Sequence, residues 1–262
     1  MVVALHTLTG ALYLVACLAS GAGLALGSAR AMRVAVGALA AGALAHGLTF
    51  SLLHTANPPP PLTDLAWAAS LMSWIGTLAY LALLRRTRVS GLVVLVAPMA
   101  FLGVFLAALR LPGPVEATTA GSASLAHAHV LLASAGFALL GLAGLCGALF
   151  LAEHRRLKRR QALPGSGLPS LESLDRAGAV ALAIGFPLLT LGVVTGAMWV
   201  HAARESWDGN AHEIGALVAW CLYLLLVLQR FAVHQGARRC AISALAGFAL
   251  LSVWVVGVEV LA

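Results

Sequence analysis

The stretch HVLLASAGFALLGLAGLCGALFLAEHRRLKRR, His129 to Arg160, sets two opposite kinds of sequence end to end. Its first part, to Ala152, contains no Asp, Glu, Lys or Arg. A helix of about twenty residues at ~1.5 Å per residue crosses the ~30 Å hydrocarbon core of a bilayer. A barrel strand needs only ~9–11 residues, so this run is far too long for one. Backbone amides in lipid must be satisfied internally, and a continuous helix does that. The second part, EHRRLKRR, ends the span, and cations beside a span are retained on the cytoplasmic side.

The same pattern recurs along the chain. Of its 262 residues, 61% are hydrophobic and 10% charged, against about 25% charged in soluble domains. Breaks between apolar runs predict helices near 3–26, 33–54, 63–84, 89–109, 124–152, 177–202, 211–233 and 240–261. The fold class is all-α: a polytopic membrane helix bundle of eight transmembrane helices, read as a single transmembrane domain over residues 1–262. The first run has no Lys or Arg before it and is too long for a signal peptide, so it reads as a retained span.

The net charge of +7 raises the question of a nucleic-acid partner, which the location of the charges excludes. Arg30 and Arg33 lie in the first connection, and Arg85, Arg86 and Arg88 in the third. Arg155, Arg156, Lys158, Arg159, Arg160 and Arg176 lie in the fifth; Arg230, Arg238 and Arg239 in the seventh. Of the 16 basic residues only Arg110 and Arg204 fall in even connections. This alternation puts both termini outside the cytoplasm and makes membrane lipid, not nucleic acid, the partner of the basic loops.

Other features read as architecture. NPPPP, Asn57 to Pro61, makes a stiff outer turn, and LPGSGLPS gives a flexible cytoplasmic connection within 153–176. Pro98 and Pro187 kink their spans, and Gly136, Gly141, Gly144 and Gly147 give the fifth a flat side. Cys17, Cys146, Cys221 and Cys240 are scattered and read as packing residues.

The histidines follow a different rule. Of nine, His154 and His234 fall on the cytoplasmic side. His6, His54, His127, His129, His201 and His212 sit near the outer boundary, and His46 lies about two turns below it. Neutral imidazole is the commonest metal ligand and a frequent axial ligand of haem iron. A haem site also needs an aromatic wall and cations for the propionates. His129, His201, His212, Trp199, Trp207 and Arg204 supply these types at outer helix ends. Against this stands the ordinary tendency of aromatic and polar side chains to gather at membrane interfaces. His127 and His129, two apart on a helix, do not share a face, so one points away. HE at His212–Glu213 is not a zinc-protease motif, because the required second histidine is Ala216. No phosphate-binding loop or nucleophile elbow is present either, and the chain is not expected to be an enzyme.

In order, the chain carries HVLLASAGFALLGLAGLCGALFL, then LESLDRAGAVALAIGFPLLTLGVVTGAMW, then SWDGNAHEIGALVAWCLYLLLVLQR. These segments resemble the transmembrane core of the CcsA/ResC/HemX cytochrome c assembly superfamily, and SLMSWIGTLAYLALL resembles its short YpjD/HemX-like branch. The resemblance is most specific over 127–230. It implies a haem-handling protein of the bacterial inner membrane, with haem as cofactor and other cytochrome c maturation proteins as partners. It makes Trp207, Asp208 and Glu213 remnants of a tryptophan-rich haem-presenting loop and His129 an axial ligand. The loop has fewer tryptophans than in full haem-presenting members, and Glu259 stands where those tend to place a second ligand histidine. His212, His201 and His46 are the candidate substitutes. The alternative is a regulatory or scaffolding protein that keeps the fold without presenting haem. A transporter ranks behind both, since the spans show neither buried carboxylates nor an inverted repeat.

Overall fold

The computed structural model describes residues 2–55, 64–87, 89–108, 123–159, 169–204 and 211–261; within these, the side chains of 65, 123, 124, 203, 204, 211, 212 and 254–261 are excepted. The described residues form helices α1 (Val2–Ala25), α2 (Ala29–His54), α3 (Leu65–Leu84), α4 (Val93–Ala108), α5 (Ala123–Lys158), α6 (Leu171–Arg204), α7 (Ala211–Val227) and α8 (Ala237–Leu261). A 3-10 turn, Ser90–Leu92, leads into α4, and a π turn, Leu228–Ala232, follows α7. There is no strand among the described residues. Seven helices there are long and apolar enough to cross a membrane. The protein is a polytopic helical membrane protein.

The predicted spans match these helices closely except at the end of α5 and the start of α6. The 36 residues of α5 extend about 54 Å and the 34 of α6 about 51 Å, well beyond one hydrocarbon core. Apolarity ends near Ala152, but Glu, Arg, Leu and Lys all favour helix, so α5 continues through EHRRLK. At α6, the Ser170 hydroxyl accepts from the Ser173 amide at 3.2 Å, an N-cap that starts the helix before the lipid does. NPPPP and most of LPGSGLPS lie outside the described residues.

The chain forms two compact units: residues 1–117 with 152–174, and residues 118–151 with 175–262. In the first, α1 packs on α2 and α4, and α3 packs on α4. Tyr13 lies against Gly42, where a Cβ would come within 2.6 Å of its ring. The core around Tyr13, Leu39, Ala35 and Val104 is apolar, but it holds buried polar side chains too. Thr9, Thr49 and Thr77 donate to carbonyls four residues earlier in their own helices, and Trp74 Nε1 donates to the Ala43 carbonyl at 2.8 Å. These donors are thereby satisfied within the unit.

In the second unit the glycines bring α5 close to two neighbours. A Cβ on Gly136 would meet the Leu189 amide at 2.6 Å, and one on Gly192 the Ala133 amide at 2.9 Å. A Cβ on Gly185 would meet Leu139 Cβ at 2.9 Å, so α5 and α6 run antiparallel with paired notches. Gly144 takes Phe248, and a Cβ on Gly147 would lie 2.6 Å from the Ala241 carbonyl oxygen, which seats α8. The flat side expected of α5 therefore serves α6 at Gly136 and α8 lower down. With little hydrophobic drive between helices in lipid, such close backbone approach supplies the packing.

Candidate functional site

One end of the second unit gathers the start of α5, the end of α6 and the start of α7. Here His129 turns toward α6, while His127 is exposed, as their two-residue separation requires. His129 Nδ1 lies 2.8 Å from the Gly192 carbonyl oxygen. A carbonyl only accepts, so Nδ1 carries the proton and Nε2 carries the lone pair. Among the described residues no group pairs with Nε2. The imidazole stacks with the Trp199 indole at a centroid separation of 6.1 Å and an interplanar angle of 28°. A ring N–H fixed by a carbonyl and a bare second nitrogen is the arrangement that orients histidine for a metal.

Below this, Trp220 Nε1 donates to Thr190 Oγ1 at 3.0 Å and its ring meets Phe186 at 5.9 Å, which ties α7 to α6. Glu213, in the first turn of α7, is only 7% exposed; a carboxylate there is favoured by the helix dipole. His201, two residues past Trp199, is exposed. The helix backbone carries Arg204 at the end of α6 and His212 at the start of α7, but their side chains lie outside the described residues, as do Trp207 and Asp208 entirely. The structure thus brings His129 and Trp199 together and puts Glu213 at the same end of the unit.

His46 belongs to the first unit and meets a different demand. It is 1% exposed, its Nε2 lies 2.9 Å from Ser70 Oγ, and its Nδ1 lies 3.2 Å from Tyr13 Oη. Phe50 stacks on it at 5.0 Å. Both nitrogens are engaged by hydroxyls, which leaves no lone pair for a metal. His6 is buried as well, with Nε2 donating to the Val104 carbonyl at 2.9 Å.

The opposite end of the second unit is closed by a pair that motif reading did not supply. Arg230, in the π turn, donates from Nη1 and Nη2 to the two carboxylate oxygens of Asp175 at 2.6 and 2.7 Å. The signal in the sequence was an ionisable residue at the same depth on consecutive spans. Among the described residues there is no cluster of three or more His, Cys, Asp or Glu suited to a bare metal ion.

The Cytochrome C assembly protein family matches residues 62–262. The chain is 29% identical over 233 residues to the cytochrome c biogenesis protein CcsA of Prochlorococcus marinus (strain MIT 9303), covering 77% of this chain and 73% of that one. To the CcsA proteins of Synechococcus sp. (strain CC9605) and Mesostigma viride it is 26% and 24% identical, again over 77% of this chain and over 75% and 74% of theirs. No solved structure matches.

Proposed function

Because this chain belongs to the cytochrome c assembly protein family, we propose that it is a haem-handling component of cytochrome c biogenesis that holds haem at the outer face of a bacterial inner membrane. The outer assignment follows from the basic connections, which leave the His129 end of α5 extracytoplasmic. The observation that carries the proposal is His129: its Nδ1 proton is committed to Gly192, its Nε2 has no partner among the described residues, and the Trp199 ring lies beside its own.

These residues suit a haem. His129 would supply a nitrogen to the iron and Trp199 part of the aromatic wall. Trp207, Asp208, Glu213 and Arg204 would form the rim, with His212 or His201 supplying a second imidazole nitrogen. The group's contribution when bound is an iron porphyrin ready for attachment to an apocytochrome. The chain's own residues would bind it, orient it and keep its edge toward the periplasm. Its partners would be the other maturation proteins, and it would not itself form the thioether bonds.

The test is spectroscopic. Protein purified in detergent, as isolated or after addition of hemin, should show a Soret band. His129→Ala should reduce that band several-fold, and a wild-type protein that stays colourless with excess hemin would end the proposal. The second reading, a scaffold that keeps the fold without haem, is favoured by Glu259 at the position of a second ligand histidine. A stable protein partner together with that colourless result would select it.

A further inference from the structure

His129 meets α6 on a surface shaped by two glycines. Gly192, Gly196 and Trp199 stand at i, i+4 and i+7 and so share a face of α6. The missing Cβ of Gly192 lets α5 approach until the Ala133 amide is 2.9 Å from where that atom would be. This closeness brings the Gly192 carbonyl to 2.8 Å from His129 Nδ1. One turn on, a Cβ on Gly196 would lie 2.7 Å from Nδ1 and 2.8 Å from Cε1, inside the ring's own envelope. One further turn along, the Trp199 indole lies beside the imidazole with its centroid 6.1 Å away.

We infer that Gly192 and Gly196 form a seat that selects the tautomer of His129, so that Nε2 is the nitrogen presented to a ligand. Gly196 is a positioning residue. It touches no ligand and acts through the space it leaves for the imidazole. The seat holds the Nδ1–H form, the less populated tautomer of free neutral histidine. The carbonyl of Gly192 is also approached by Thr195 Oγ1 at 3.0 Å, but that hydroxyl has a second acceptor in the Leu191 carbonyl at 2.8 Å. Among the described residues the His129 proton has no such alternative. The inference rests on the proposed haem reading for the identity of the ligand, and on this structure alone for the tautomer.

The experiment reads the two separately. Protein with 15N-labelled histidine, free of haem and in detergent, is measured by NMR near neutral pH, with the His129 signal assigned by its loss in His129→Gln. The expected spectrum has a protonated Nδ1 and a bare Nε2. An Nε2–H signal, or the averaged signal of free histidine, would overturn the seat whatever haem does. Gly196→Ala should shift His129 to that averaged signal and weaken haem binding roughly ten- to a hundredfold, the usual consequence of losing a ligand's orienting partner. A well-folded Gly196→Ala protein with unchanged His129 signals would remove Gly196 from the seat. Should the variant not fold, the wild-type spectrum still decides the tautomer. A fixed Nδ1–H tautomer in a protein that refuses hemin would leave the seat standing and defeat the haem proposal.

Discussion

His46 and His129 are the same side chain under opposite constraints. His46 has a hydroxyl on each nitrogen and an aromatic ring on its face, and so it completes the interior of its unit. His129 has a carbonyl on one nitrogen and nothing described on the other, and so it keeps chemistry in reserve. Removing the Tyr13 hydroxyl would strand a buried ring nitrogen, which typically costs about 1 kcal/mol or somewhat more. Polar pairs within membranes average about 0.6 kcal/mol, so the lower end applies. Tyr13→Phe should therefore lower the denaturation midpoint in detergent, with the helical circular dichroism of the folded protein unchanged. An unaltered midpoint would mean that the hydroxyl does not satisfy His46. That His127 and His129 point apart was legible from their spacing, but the proton of His129 was not, because its acceptor lies 63 residues away on another helix. The engagement of His46 was equally hidden, since Tyr13 and Ser70 are ordinary residues of apolar spans.

Helix boundaries were legible wherever lipid sets them. Apolar runs begin and end with the bilayer, so α1 to α4 fall within a few residues of their predicted places. They were illegible where the helix outlasts the membrane, at the end of α5 and the start of α6, because helix formers and a serine cap then decide. The pairing of the start of α6 with the turn after α7, through Asp175 and Arg230, belongs to the same region. Its side chains are 27% and 18% exposed, and the contact is a bidentate fork. Asp175→Asn and Arg230→Gln should each destabilise the protein by roughly 1–3 kcal/mol, and the double variant by less than the sum of the two. Additive losses in chemical denaturation would show that the pair does not couple the helices. Arg230→Lys should recover only part of the loss, since an ammonium cannot make both parallel bonds.

The alternation of basic connections with connections poor in Lys and Arg predicts the orientation of the whole chain. With the native cysteines replaced by alanine, single cysteines at Thr118 and Pro60 should react with a membrane-impermeant maleimide added to whole spheroplasts. A cysteine at Ser166 should react only after the membrane is opened. Labelling of Ser166 from outside would invert the topology and move His129 to the cytoplasm. Nothing in the residue pattern marks the two compact units, because an apolar surface facing lipid reads the same as one facing another helix.

The division into units does not follow the order of synthesis. Residues 118–151 of the second unit are made before residues 152–174 of the first. The first unit is therefore incomplete until the ribosome has passed Leu174, with α5 already emerging between its parts. No single cut in the polypeptide separates the two units, so a split-gene version of this protein would divide at least one of them.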